Sequence, residues 1–355
     1  MLELATNERL KLMFSHKEAD RIPVTDTFWG ATISRWHSEG LPEKVGVEEF
    51  FGLDKIAGIG VDISPRYPQK VLEETEDYII YTTKWGATQR EWKKQASTPE
   101  FLDFTVKTYE DWLKAKERMS VGEGRINWDY LKKNYSRWKK EGYWVQAGLW
   151  FGFDVTHSWF TGTERLLIAM IEQPEWCSDM FNTFLDINLK LMDEIWAAGY
   201  EFDGIRWPDD MGFKHSQFFS PDIYRELLKP VHKRAVEWAH QKGIKALLHS
   251  CGNILPLIPE FIDFGLDGLN PLEVKAGMDP FFLKDTYGDK LLLHGGIDIL
   301  LWDDAEKVKA EMERTLPKMM KDGGYIFSSD HSVPSSISLN DYKEIVRLAK
   351  KLGTY

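Results

Sequence analysis

KALLHSCGNILPLIPEFIDFGLDGLNPLE, residues 245–273, decides the fold. It opens on an apolar strand, KALLHSCG (245–252), that turns polar at its end. A helix around 255–264 follows, and then a second strand of the same kind, LDGLNPLE (266–273). Strand, helix, strand in that order is the unit of a parallel sheet, because parallel neighbours need a crossover between them. The unit repeats on both sides. Upstream, YWVQAGLW (143–150) precedes a helical stretch at 164–198, and FDGIRWPDD (202–210) precedes one at 221–242. Downstream, KLLLHGGID (290–298) precedes a helix at 304–321. GYIFSSDHSVP (324–334) precedes the last helix, 339–352, with Ser338 as its N-cap and Asp341 three positions on. Short strands at 22–24 and 56–62 bring the count to eight, which predicts a (β/α)8 barrel. An open doubly wound sheet is the competitor, but no G-x-G-x-x-G phosphate loop supports it.

No linker, repeat or low-complexity segment divides the 355 residues, so the chain reads as a single domain. Its N-terminal half carries an insertion at about 66–140, where YIIYTTKWGATQREW alternates like an exposed hairpin ahead of amphipathic helices. The first helix is expected over 7–14, capped by Thr6. Lys and Arg number 45 against 56 Asp and Glu, a net charge of -11. An acidic chain without a basic tract is unsuited to nucleic acid or to anionic membranes. Two cysteines, Cys177 and Cys251, preclude a disulfide framework. With no signal peptide and no apolar run long enough to span a bilayer, the expected location is cytoplasmic. Fifteen Trp, 13 Tyr and 20 Phe suit both a large core and a pocket with flat apolar walls.

Barrel chemistry sits at the C-terminal ends of the strands. Those ends carry Asp209 and Asp210, His249 and Cys251, Asn270 and Glu273, His294 and Asp298, and Asp330 and His331. His249 and Cys251 are two apart on one strand, so both side chains face one side. Imidazole with thiolate suits Zn²⁺; the plain alternative is a hydrogen-bonded His beside an inert Cys. Glu273 and His331 are candidates to complete the metal set, with Asp330 orienting the His331 ring if the turn allows it. Asp209, Asp210 and His294 are candidates for proton transfer or substrate polar contacts. Trp29, Trp150, Phe151 and Trp207 lie near strand ends as candidate substrate walls, although each also suits the core. Cys177 reads as a packing residue.

The blocks NERLKLMFSHKEADRIPV, DDMGFKHSQFFSPDIYRELLKP, HSCGN, GLNPLEVKAGMD, YGDKLLLHGGID and GGYIFSSDHSVPSSISLNDY resemble, in order and spacing, the uroporphyrinogen decarboxylase-like superfamily. The resemblance implies a single (β/α)8 barrel. True decarboxylases of that superfamily carry an arginine-rich P-V-W-x-M-R-Q-A-G-R segment. Here PVTDTFWGATISRW (23–36) keeps only Arg35, and a G-H-G near the C-terminus is replaced by Asp330-His331-Ser332. An octa-anionic porphyrinogen needs several guanidinium contacts, which counts against that activity. The other branch comprises corrinoid-dependent methyltransferases with a zinc held by H-x-C and later residues. His249 and Cys251 match the H-x-C, Glu273 falls where a carboxylate ligand can come from, and His331 stands in place of the later Cys. The resemblance therefore implies a zinc methyltransferase of the O-demethylase type. Such an enzyme passes a methyl group from a methoxylated aromatic, or another small methyl donor, to cobalamin on a partner corrinoid protein; a homodimer is admitted. The alternative is a metal-free decarboxylase using Asp62 or Asp210.

Overall fold

The structure, a computed structural model, describes residues 3–94 and 98–355. In chain order its strands are β1 (Ile56–Ile59), β2 (Val71–Glu74), β3 (Tyr78–Thr82), β4 (Ala87–Trp92), β5 (Glu100–Phe104), β6 (Trp144–Gly148), β7 (Gly204–Pro208), β8 (Gly212–Phe213), β9 (Ser216–Gln217), β10 (Lys245–His249), β11 (Gly268–Asn270), β12 (Leu292–His294) and β13 (Tyr325–Ile326). Seven of them form one parallel sheet in the order β1-β6-β7-β10-β11-β12-β13. Sequential neighbours with helical crossovers between them make the expected barrel architecture.

The two edges of that sheet meet on the segment around Val24, at the place of the eighth predicted strand. Val24 bridges Phe327 in parallel. Phe327 N–H donates to Pro23 O at 2.9 Å, and Thr25 N–H donates to Phe327 O at 3.0 Å. From the other edge, Asp54 N–H donates to Val24 O at 2.9 Å. The Asp54 carboxylate secures the joint by accepting from Val24 N–H at 2.8 Å and from Arg21 at 2.7 Å. Arg9 joins it from the first helix, α1 (Thr6–Phe14), while also gripping Asp20 at 2.7 Å.

That network corrects the expected cap. Ala5, not Thr6, is the N-cap of α1, and the Thr6 hydroxyl donates instead to Asp54 at 3.3 Å. With Arg9 fixed, α1 lies across the bottom of the barrel, where Phe14 stacks on Trp144 with ring centroids 5.2 Å apart.

The helical stretch at 164–198 is two helices, Thr163–Glu172 and Pro174–Ala197. Pro174 has no N–H to donate backward, so it opens a helix rather than continuing one. The stretch at 221–242 contains a π-turn, Tyr224–Leu228, just before Pro230. The last helix is Leu339–Leu352, with the Ser338 hydroxyl accepting from Asp341 N–H. The YIIYTTKWGATQREW segment forms antiparallel β3 and β4 within the four-stranded sheet β2-β3-β4-β5. This sheet packs on the barrel through Phe101, whose ring meets Trp159 edge-on at 5.5 Å. Residues 95–97 of the predicted insertion lie outside the described residues. Among the described residues no helix is long and apolar enough to cross a membrane.

Two measurements test the closure. Arg9→Met leaves the buried Asp54 and the half-buried Asp20 short of a partner, and urea unfolding should show a loss of about 3–5 kcal/mol. Burial would raise Asp20, but Arg9 and the Leu4 N–H hold it at about 2 against an ordinary 3.8. Its contribution is therefore full above pH 3.8 and is lost as pH falls through about 2, and acid unfolding should steepen across that window.

Candidate functional site

In a filled barrel, branched apolar side chains occupy the axis. Here strands β6, β7, β10, β11 and β12 point Gln146, Arg206, His249, Asn270 and His294 inward, and a cavity of about 500 Å³ remains among them. Its floor is Leu10, Phe14 and Trp144, and its mouth is Asp210, Cys251, His331 and Ser332. The β7 chain shows how alternation sorts the residues: Arg206 faces the cavity, whereas Trp207 faces outward and is fully buried.

At the mouth, Asp210, His249 and Cys251 bring one ligand atom each within 4.8 Å of one another. Cys251 Sγ lies 3.6 Å from His249 Nε2, and Asp210 Oδ1 lies 3.7 Å from the same nitrogen. Asp210 also accepts from Cys251 N–H at 2.8 Å, which ties the ends of β7 and β10 together. On the other edge of the imidazole, Nδ1 is 2.7 Å from the Asn270 amide oxygen. With Nδ1–H donating there, the Nε2 lone pair is left on the side of Cys251 and Asp210. Burial and the Arg206 guanidinium lower the His249 pKa, so the ring is neutral at pH 7. Burial, and then Asp210 and Glu273, push the Cys251 thiol well up. These are donors that a cation could organise, and a bound cation would favour the thiolate.

Asp209 and Asp210 part company. Asp209 is fully buried on the outer face, where His232 Nε2 lies 2.8 Å from Oδ2 and Asp154 N–H donates to Oδ1 at 2.6 Å. Tyr224 O–H completes this chain, 3.0 Å from His232 Nδ1. Asp209 is thus among the barrel's supports, and only Asp210 lines the cavity. Burial and the two neighbouring Asp carboxylates also push Asp154 up to about 7.

Glu273 and His331 stand outside the three-ligand cluster. Glu273 accepts from Gly252 N–H at 2.6 Å and pairs with Lys275 at 3.2 Å, so it braces the loop that carries Cys251. Gly252 is required there: its φ is 82°, and an added Cβ would fall 2.1 Å from the Gly212 carbonyl carbon. His331 lines the mouth with its ring against Trp29, centroids 5.8 Å apart. Asp330 does not orient it. Its two oxygens accept from Val274 and Ile299 N–H, both at 2.8 Å. His294 lines the cavity with Nε2 2.9 Å from the Thr25 hydroxyl, and burial takes it down to about 3.

Phe151 and Trp207 stack on each other at 5.6 Å behind the cavity wall, and Trp150 packs between Trp85 and Trp159. The rings that line the cavity are Phe14 and Trp144. Asp62 lies away from the barrel mouth, bonded to Ser64, Arg66 and Lys84. Burial would raise it, but those three partners hold it at about 2. Cys177 is fully buried.

The family model described as uroporphyrinogen decarboxylase (URO-D) matches residues 157–352. The chain belongs to the URO-D family. Among solved structures it is similar to a methyltransferase from Methanosarcina mazei, at 16% identity over 98% of this chain and 99% of that one, with a TM-score of 0.68. At that identity the likeness is one of fold. It is also similar to a B12-independent methionine synthase from Shewanella sp. W3-18-1, solved with selenomethionine, at 12% identity over 95% and 94% of the two chains and a TM-score of 0.45. No curated protein matches the chain significantly.

For a URO-D chain the cavity is sparing in cations. Its lining holds Arg206 and Lys245, and Lys245 is paired with Asp267 at 2.8 Å. Arg35, the one arginine of the 23–36 segment, pairs instead with Glu39 and with the carbonyls of Ser335 and Ser336. Reasoning from strand ends missed Arg206, Gln146 and Thr25, which sit below the rim. A charged residue in the middle of an apolar barrel strand, Gly204-Ile205-Arg206-Trp207-Pro208, was the available signal.

The Tyr224–His232–Asp209 chain makes a further prediction. His232→Leu strands a buried carboxylate and should cost about 3 kcal/mol in chemical denaturation, whereas Tyr224→Phe should cost about 1 kcal/mol.

Proposed function

We propose that the chain is an enzyme of the methyltransferase type, taking a methyl group from a methoxylated aromatic or a similarly small methyl donor and passing it to the cobalt of a corrinoid on a partner protein. The observation that carries this reading is the Asp210–His249–Cys251 cluster at the mouth of the barrel cavity. Imidazole held neutral, thiol and carboxylate together form a zinc-type donor set, and three protein ligands leave a position for substrate. His249, Cys251 and Asp210 would hold the ion, with His331 the remaining candidate at the rim and Glu273 bracing the Cys251 loop. Bound zinc would supply Lewis-acid stabilisation of negative charge on the donor oxygen.

The chain's own residues do the rest. Phe14 and Trp144 offer flat apolar faces at the cavity floor, and α1 closes that end to water. Asn270 fixes the His249 tautomer, and His294, neutral at pH 7, is placed to hydrogen-bond substrate from the wall. Asp209 acts by holding the β7 end in place. The open mouth is where a corrinoid would have to meet the substrate, since the other end is plugged. We propose one domain for the whole chain, with residues 66–140 inserted, and a cytoplasmic location. The decarboxylase alternative is favoured by the family description alone. A porphyrinogen's carboxylates would meet one unpaired cation in this cavity.

Purified protein should carry about one zinc per chain, reduced strongly in Asp210→Asn, His249→Ala and Cys251→Ser. Asn270→Ala should weaken zinc binding about 10–100-fold. With reduced cobalamin and a panel of methoxyaromatics, loss of Co(I) absorbance should accompany release of the phenol. Full transfer by metal-stripped protein, or CO₂ release from a porphyrinogen without corrinoid, would sink the proposal.

A further inference from the structure

The buried arginines of this chain, Arg9, Arg21 and Arg125, bond to carboxylates or to backbone carbonyls. Arg9 meets Asp20, Asp54 and the Leu4 carbonyl. Arg21 meets Asp54 and the Ile22 carbonyl. Arg125 spends its fork on the carbonyls of Ser120, Asp62, Ser64 and Arg118. Arg206 is different. Its contacts are one Nη2 at 3.0 Å from His249 Nδ1 and 3.3 Å from the Asn270 amide oxygen. When His249 Nδ1 carries the proton, that nitrogen cannot accept, and Asn270 is the sole acceptor. Among the described residues the Nε and Nη1 hydrogens of Arg206 have no protein acceptor and no carboxylate pairs with it directly; Asp210 acts on it only through space.

A guanidinium in a partly apolar cavity, short of both charge and acceptors, is costly unless a ligand completes it. Space for one is present. Ile56 lines the cavity, so Gly58 shares its inward face by alternation, and a Cβ there would meet nothing within 4 Å. Gly148, beside Arg206 in register, likewise presents no side chain. Flat Trp144 lies on the same strand, below Gln146 and Gly148.

We propose that Arg206 forms an anion-binding subsite inside the barrel that selects a substrate carrying a carboxylate. The planar fork matches a carboxylate with two parallel N–H···O bonds, which a neutral methyl ether cannot replace. The subsite and the Asp210–His249–Cys251 cluster lie on opposite edges of the His249 imidazole. A ring-sized acid anchored at Arg206 therefore has its far end within reach of the cluster. The assignment of substrate class rests on the methyl-transfer reading above; the subsite itself rests on Arg206.

The test is calorimetric binding of para-methoxybenzoate and of methoxybenzene to the zinc-loaded protein, without corrinoid or reductant. The wild type should bind the carboxylate at least about tenfold more tightly. Arg206→Met should erase that ratio while methoxybenzene binding persists, and Arg206→Lys should restore only part of it. Melting temperature and zinc content report whether a variant has lost its fold or its metal. Should Arg206→Met not fold, the wild-type ratio and Arg206→Lys still decide. Equal affinity for the two compounds in the wild type, no saturable binding of the carboxylate, or a ratio that survives Arg206→Met would each overturn the subsite. Preferential binding of the acid with no methyl transfer to reduced cobalamin sinks the methyl-transfer reading and leaves the subsite standing. Transfer from both compounds with equal affinity does the reverse.

Discussion

A seven-stranded parallel sheet becomes a cylinder only where its two edges are held together, and here that depends on the Asp54 carboxylate. Asp54 lies two residues before β1, so whatever it grips is fixed to one edge of the sheet. It grips Val24, whose neighbours are bonded to Phe327 beyond the other edge. It also collects two buried cations, Arg9, which it shares with Asp20, and Arg21. A buried ion cluster is a poor source of stability compared with apolar packing, because desolvation offsets much of the attraction. Its value here is geometric. It sets one register for closure and, through Arg9, seats α1 across the bottom of the barrel. Closure, floor and cavity depth are consequences of the same few contacts.

The floor allows the axis above it to stay open. Stacked Phe14 and Trp144 seal the lower end with apolar surface. Strands above can then carry polar side chains inward without exposing the core to solvent from both ends. Those side chains satisfy one another in a connected set: His249 with Asn270, Asn270 with Arg206, His294 with Thr25. Polar layers of this kind are stabilising only when they are complete. The set is incomplete at the Asp210–His249–Cys251 cluster, at Arg206 and at His294 Nδ1, and all of these residues line the cavity.

The architecture was legible because it is written in local periodicity. Alternating strand and helix, with polar residues gathered toward strand ends, reads directly as parallel β/α units, and Ser338 capping the last helix is a short-range matter. Closure was legible only as a count. The grip of Asp54 on residues 21–24 and on Arg9 links positions far apart in the chain, and no spacing rule announces it. The same limit explains Thr6, whose hydroxyl serves Asp54 rather than its own helix. The H-x-C pair was legible because two residues on one strand share a face by geometry. The aromatic assignments were harder: Trp207 and Phe151 stand next to inward-facing positions, and a shift of one residue sends a side chain to the helix layer. Arg206 is the counterpart, being inward for the same reason that Trp207 is outward.

Adjacent Asp209 and Asp210 show how one strand end serves both layers. Successive side chains point to opposite faces, so two consecutive carboxylates cannot both enter the mouth. Asp209 is drawn into the helix layer, where His232 and the Asp154 N–H complete it at 2.8 Å and 2.6 Å. The π-turn Tyr224–Leu228 places Tyr224 on that His, so an irregular helix is put to use as a clamp. Anchored from behind, the strand end has little freedom, and Asp210 is delivered to Cys251 N–H from the front. The His249 ring receives the same treatment, with Asn270 behind it and the cluster before it. The His249 ring is therefore held from its far side, and Asp210 and the Cys251 backbone hold each other. That arrangement orients the three groups toward one another, although two of them, His249 and Cys251, are half-buried where charge is disfavoured. Such an orientation is sustained by the scaffold and would be rewarded only by something bound between them.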